Sequence, residues 1–411
     1  MEYQYTSQEM LLDALETKSI QNVFIYVGDG VRYDYLPDDI ANMGVSTKCI
    51  AGSIHSPTAF ATIVSGLSYP QHRVTDFTDQ LTTELPHLFS AASHNTAFCN
   101  TINHPPFNTN PVTDSILATT LNTDDSTSDL LKTITSPFVV LERGPGGHAP
   151  YGEFDGNGSE YFRARGDASL NVLASEYATA VRDDTDWFLS QVATVRDRGL
   201  AEETLIIYTS DHGELLGEMG TVGHNGPVHR RLVETPCVFI HPSLSNRSVS
   251  DTIVRQIDLL PTLIDAADIT VDVTEELRGR ALTTEQPAPL GASYYRKRVL
   301  EQHPIVPSLS LAYDAVWDET GGYILPQSNR LTRMSAAIGS LLTGPKSAFR
   351  RNHLVAALAG FFAGTRIAGT PQFSLAEARN YLSRVASVDL HKSTTKVEVP
   401  EERLRELGYL E

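Results

Sequence analysis

Thr204-Leu-Ile-Ile-Tyr208-Thr-Ser-Asp211-His212-Gly213-Glu214 decides how this chain is read. A short run of branched and aromatic side chains predicts a buried strand, and it ends directly on acids and a histidine. Far upstream, Asn22-Val-Phe-Ile-Tyr-Val27 ends in the same way, on Gly28-Asp29-Gly30-Val-Arg32-Tyr-Asp34. In open α/β sheets, ligands collect beyond the carboxyl ends of strands. Asp29, Asp211 and His212 brought to one such edge would suit a hard or borderline divalent cation. Taken singly, an aspartate after a strand is commonly a turn or capping residue. Taken together, they point to metal-assisted hydrolysis.

A third segment strengthens that reading. In Ser53-Ile-His55-Ser56-Pro57-Thr58-Ala-Phe60, Ser56 reads as a helix N-cap with proline at the first helical position. The helix would run from Thr58 to Ser65 and stop at Gly66. A hydroxyl at a helix start lies beside unpaired amide N–H groups, a ready place for an oxyanion. A cation touching that oxygen would lower its pKa and make it a nucleophile. As a cap alone, Ser56 would be worth about 1 kcal/mol.

The order of these pieces resembles the alkaline phosphatase superfamily, and within it the sulfatase-like and phosphonate-monoester-hydrolase-like members. The resemblance rests on Asp29 to Asp34, on Ser56 to Pro70 with its Ser65-Gly66-Leu-Ser-Tyr-Pro70 ending, and on Gly147-His148-Ala149-Pro150. It continues through Asp211-His212-Gly213-Glu214, Gly223-His224 and Val254-Arg-Gln-Ile-Asp258-Leu-Leu-Pro261. The tail Glu402-Arg-Leu-Arg-Glu-Leu-Gly408 is similar to that of many members.

This resemblance implies that Asp29, Asp211 and His212 hold one divalent ion (Zn, Mn, Mg or Ca), with the Ser56 oxygen completing the site. Ser56 is the implied nucleophile and Thr58 the alternative. His148 and His224 would contact the substrate anion or protonate the leaving oxygen, although histidines in glycine-rich loops are often merely solvent-exposed. Phosphodiesterase relatives imply a second ion, for which His148 and His224 with Glu142 or Asp183 are candidates. The formylglycine signature Cys-x-Pro-Ser-Arg is absent, because Ser56-Pro-Thr-Ala-Phe60 stands in its place. Phe98-Cys-Asn100-Thr-Ile-Asn-His104 stands where a Gly-Lys-Trp-His element is expected. These departures favour hydrolysis of phosphate or phosphonate esters. The alternatives are a sulfuric-ester hydrolase, a group transferase on a sugar or lipid, and a non-catalytic binding relative. The expected partner is a small-molecule, glycan or lipid ester, and a homo-oligomer is open.

Composition narrows the setting. The net charge is −18, which means self-repulsion that salt would screen. Seven lysines among 32 basic residues, with abundant Asp and Thr, resemble the proteins of salt-loving archaea. No basic cluster suits nucleic acid. Cys49, Cys99 and Cys237 lack pair spacing, so no disulfide framework or zinc knuckle follows. Met1-Glu-Tyr-Gln-Tyr-Thr-Ser7 does not read as a signal peptide, and a cytoplasmic location is expected. Residues 7–18 read as a short amphipathic helix. The apolar run Leu354–Gly364 is shorter than the ~20 residues a membrane span needs. It reads as a packed helix, or as one touching a membrane surface through neighbouring Arg333, Lys346, Arg350 and Arg351.

The expected fold is α/β: a doubly wound, mostly parallel sheet flanked by helices, with a smaller C-terminal subdomain. Strands are expected at 22–28, 95–99, 137–142, 204–210 and 236–241, and helices near 57–66, 81–93 and 171–198. A break at Thr283–Gly291 would separate a catalytic domain (1–285) from a subdomain with a small sheet and helices (286–411). Residues 327–380 read as helical.

Overall fold

The computed structural model describes residues 10–108, 115–224, 226–272, 277–300, 309–387 and 394–399. Its centre is a sheet of strands β1 (Asn22–Gly28), β2 (Val45–Ile50), β3 (Asn95–Asn100), β4 (Phe138–Gly144), β5 (Thr204–Ser210), β6 (Glu234–Ile240) and β7 (Arg247–Arg255). In space the order is β7-β2-β6-β5-β1-β4-β3. Strands β5, β1, β4 and β3 run parallel to one another, as do β7 and β2. Only β6 is antiparallel to both its neighbours. The mostly parallel, helix-flanked sheet expected from the sequence is therefore the one observed; β2 and β7 were not anticipated.

Burial on both faces explains the near-continuous apolar strands. Alternate residues of β1 serve different cores. Val23, Ile25 and Val27 face one layer with helix α1 (Ser56–Ser65) and helix α3 (Leu259–Ala267), whereas Phe24 and Tyr26 face helix α2 (Leu170–Asp197). Helix α1 is buried along its whole length. It ends at Gly66, whose φ of 64° is the left-handed geometry that favours glycine.

A second, antiparallel sheet holds β8 (Gly291–Leu300), β9 (Leu309–Trp317), β10 (Gly321–Pro326) and β11 (Arg366–Gly369). It docks on the first through Tyr294 N–H, which donates to the Gly52 carbonyl, and Ser293 Oγ, which donates to Ala51. Helices α4 (Arg330–Leu342), α5 (Leu354–Phe362) and α6 (Leu375–Ala386) accompany it, with a shorter helix at Ser347–Asn352.

Three expectations need correction. Residues 81–93 form no α-helix, only a 3-10 turn at Leu88–Ser90. Leu81, Leu85 and Leu88 are buried at helical spacing, but Pro86 drives Leu85 out of helical geometry and the Leu81 N–H bonds to Thr120. Of the 7–18 helix, only a 3-10 turn at Asp13–Leu15 forms, and residues 7–9 lie outside the described residues, as does the 402–408 tail. The 327–380 stretch is mainly helical, but turns join its helices and Arg366–Gly369 form β11, which takes the sheet edge beside β10.

Candidate metal and nucleophile site

The carboxyl ends of β1 and β5 are neighbours, with Gly28 opposite Ser210 in the register. Asp29 and Asp211 therefore leave the sheet side by side. Donor atoms of Asp29, Asp211 and His212 lie within 4.8 Å of one another, and all three residues are fully buried. Backbone fixes the direction of each. Asp211 Oδ1 accepts from Gly30 N–H (3.0 Å) and His212 N–H (2.9 Å), which turns Oδ2 inward. His212 Nδ1 donates to the Gly213 carbonyl at 2.9 Å, so in the neutral ring Nε2 is the acceptor. That Nε2 stands 3.5 Å from Asp211 Oδ2 and 4.0 Å from Asp29 Oδ1.

Three acceptors thus converge in a fully buried place, and among the described residues Asp29 Oδ1 and Asp211 Oδ2 have no hydrogen-bond donor. Such an arrangement is stable only with a cation between the atoms. Burial lowers the His212 pKa, but the Asp211 and Asp29 carboxylates outweigh it and the net shift is upward. Asp211 is raised by burial and by Asp29. Burial also pushes Asp29 up, yet Arg143 and the nearby histidines bring it below the usual range. An oxygen and nitrogen donor set of this kind fits a divalent ion.

Ser56 opens helix α1 beside the cluster, and its Oγ lies 3.2 Å from His212 Nε2. The N-cap is His55 rather than Ser56, which is the first helical residue. The Thr58 hydroxyl turns instead toward the Thr75 carbonyl (3.4 Å). Gln256 clamps the two halves together: its amide donates to the carbonyls of Ser210 and Asp211 and accepts from Gly52 N–H.

His148 and His224 close the other side, their ring centroids 5.3 Å apart, with His224 4.3 Å from the His212 ring. His148 Nδ1 donates to the Ala149 carbonyl at 2.8 Å. His224 Nδ1 pairs with Glu214 Oε2 at 2.8 Å, and Tyr151 donates to Glu214 Oε1 at 2.7 Å. Burial depresses both histidine pKa values, and for His224 the neighbouring His212, His148 and Lys346 depress it further. Burial raises Glu214 to about 7 despite Lys346.

Of the two carboxylates expected at a second ion, neither is here. Glu142 follows the pleat to the face opposite Arg143, where Trp187 Nε1 donates to it. Asp183 lies on the exposed side of α2. Glu214 takes that place, grouped with His212 and His224. Sequence reasoning also missed Arg143 and Lys346 as site residues. Arg143 ends β4 and donates through Nε (3.1 Å) and Nη2 to Asp29 Oδ2, while its guanidinium carbon lies 6.0 Å from the Phe60 ring centroid. Lys346 was read as a surface cation but is buried, reaching over Phe162 toward the Gly223 loop. Gly223 has φ of +77°, and a Cβ there would meet Lys346 Nζ at 2.0 Å. Apart from these, Cys99, His104 and Asp125 gather at the end of β3, with His104 Nε2 3.5 Å from Asp125 Oδ2.

Comparison with known proteins gives the family and the fold. The sulfatase family model matches residues 59–269, just over half of the chain. A low-salt glycan biosynthesis sulfotransferase of Haloferax volcanii, Agl7, is 27% identical over 95% of this chain and 96% of its own length. Its organism agrees with the salt-loving archaeal source expected from composition. The phosphonate monoester hydrolase of Agrobacterium radiobacter superposes with a TM-score of 0.58 at 16% identity, covering 83% of this chain and 96% of that one. A 2-O GAG sulfatase gives 0.58 at 14% identity over 92% and 95%. These solved structures share the fold, and the family match carries the assignment: the chain belongs to the sulfatase family.

Proposed function

We propose that this protein is a metal-dependent hydrolase of phosphate or phosphonate esters, with Ser56 as nucleophile and Asp29, Asp211 and His212 as ligands of one divalent ion. The observation that carries it is the Ser56 hydroxyl set 3.2 Å from His212 Nε2, against two buried carboxylate oxygens that lack donors. When bound there, a divalent ion supplies positive charge that favours the serine alkoxide and offsets charge on the substrate oxygens.

The chain's own groups do the rest. Ser56 gives up its hydroxyl proton to water, its Oγ attacks phosphorus in line, the bond from phosphorus to the ester oxygen breaks, and the group passes to the serine. His148, whose Nδ1 is held as a donor by Ala149, carries a proton on Nε2 once the substrate anion offsets its burial. That proton goes to the leaving oxygen. Glu214 orients His224 against the same anion. Water then cleaves the phosphoserine ester and frees Ser56.

A second reading has support of its own: transfer of a sulfuryl group to a glycan hydroxyl, favoured by Agl7, which matches nearly end to end. The two differ in the group carried and in the acceptor. An ester panel of phosphate monoesters, diesters, phosphonate esters and aryl sulfates, each with Mn, Zn, Mg and Ca, separates them. Turnover of phosphoryl or phosphonyl substrates ahead of sulfates is expected. Sulfate turnover that rises when a sugar acceptor is added would establish the second reading instead.

A further inference from the structure

The C-terminal helices break with the rest of the chain in charge and in exposure. The protein carries 50 Asp and Glu, yet none falls between Glu319 and Glu377, where Arg330, Arg333, Lys346, Arg350, Arg351 and Arg366 lie. Within that stretch α4 presents Leu331, Met334, Ile338 and Leu342 at three- and four-residue spacing, all exposed, Leu331 at 69% and Leu342 at 71%. The opposite side of α4 is buried through Thr332, Ala336 and Ala337. Helix α5 adds Leu354 and Val355, the latter 84% exposed. A soluble surface rarely lines up large apolar residues this way without a partner.

The cations sort by side. Lys346 and Arg350 are buried and turn inward, Arg350 Nε donating to Thr221 Oγ1 at 2.9 Å. Arg330 and Arg351 are exposed at the margins of the apolar stripe. An apolar face rimmed by arginine, on helices whose own residues include no acid, on a protein of net charge −18, is complementary to a surface that is apolar within and anionic at its border; the acid nearest that rim, Asp167, is engaged by Asn352. Among the described residues no helix is long and apolar enough to cross a membrane, so such a face would lie on one.

Its position bears on the site. Helix α5 packs on the loop that carries His224: Gly220 abuts His353 and Ala357, and Gly360 abuts Met219. The same helical unit sends Lys346 toward Gly223. We propose that the outer face of α4 and α5 docks on an anionic lipid bilayer and presents the site to an ester carried at that surface. The second half rests on the function proposed above. The first half does not, and the test below reads binding without turnover.

The experiment is flotation of the whole protein with vesicles of phosphatidylglycerol and phosphatidylcholine, in the salt that keeps it folded, against vesicles of phosphatidylcholine alone. The wild-type protein is expected to float with the anionic vesicles. The Leu342→Glu/Val355→Glu variant is expected to lose at least tenfold in bound fraction while turning over a soluble ester at the wild-type rate. A second variant, Arg330→Glu/Arg351→Glu, tests the rim. It is expected to lose binding to anionic vesicles, and the loss should shrink in molar salt, where the Debye length is about 3 Å. No flotation of the wild type, or equal flotation of all variants, overturns the proposal. So does a wild-type dimer in light scattering that the apolar variant converts to monomer without any vesicle binding, because the face then meets a second copy of the chain.

Discussion

His212 Nε2 stands 3.2 Å from Ser56 Oγ across 156 residues of sequence, and it faces the carboxylates of Asp29 and Asp211 on its other side. One acceptor nitrogen therefore links the candidate nucleophile to the candidate metal ligands. Thr58, one half-turn along the same helix, instead directs its hydroxyl at Thr75. Ser56→Ala is expected to lower turnover by ~10³-fold or more, with Thr58→Ala within a few-fold of wild type. Steady-state rates on the best ester of the panel decide this, and the reverse order would move the nucleophile to Thr58.

Metal removal should cost stability as well as activity. A ligand present at about 100 times its Kd stabilises the folded state by about 2.7 kcal/mol. Thermal melts with chelator, and then with added Mn or Zn, are expected to show that difference in the wild type. They should show none in Asp211→Asn or His212→Ala, and elemental analysis should find less than one bound ion in either variant. A full ion retained by both would disprove the ligand set.

Glu214 touches His224 and Tyr151 rather than the nucleophile. Its role is to position, so Glu214→Gln is expected to cut turnover by about 10- to 100-fold. Because burial raises the Glu214 pKa to about 7, the acid limb of the pH–rate profile should change shape in the variant. A uniform loss at all pH values would point to misfolding of the loop instead.

Glu142 offers a test of stability apart from the site. Burial raises its carboxyl to about 8, although the Trp187 N–H partly offsets the shift. A folded pKa above the unfolded value of about 4.3 means the native state holds its proton longer. The stabilising contribution is complete below pH ~4 and is lost as pH rises toward about 8. Glu142→Gln is expected to flatten denaturant-melt stability across that window with turnover unchanged. A slope identical to wild type would show that Glu142 is already ionised in the folded protein.

Much of the site could be read before any coordinates. Asp29, Asp211 and His212 follow short apolar strands, and β-period burial in a parallel sheet forces such strands to end at one edge. The helix at Ser56–Ser65 announced itself through Pro57 and Gly66, one favouring the first turn and the other the left-handed stop. By contrast, the apolar spacing of Leu81, Leu85 and Leu88 imitates a helix that Pro86 forbids. Strand β7, with alternating exposure over half its length, carries no strong signal of either kind.

Sequence alone thus determined which strands carry chemistry at their ends, because hydrophobic runs and the residues that stop them are local properties of the chain. It could not assign Glu142, Asp183, Glu214, Arg143 or Lys346 to a side. That choice depends on the phase of the pleat and on which distant helix lies opposite, and both follow from packing. Neighbouring residues on β4 send Arg143 to the aspartates and Glu142 to Trp187. Lys346 reaches the loop of His224 only because α5 and the short helix before it fold back over that loop. Long-range contacts of this kind reflect how whole elements share one core, which no short window of residues encodes.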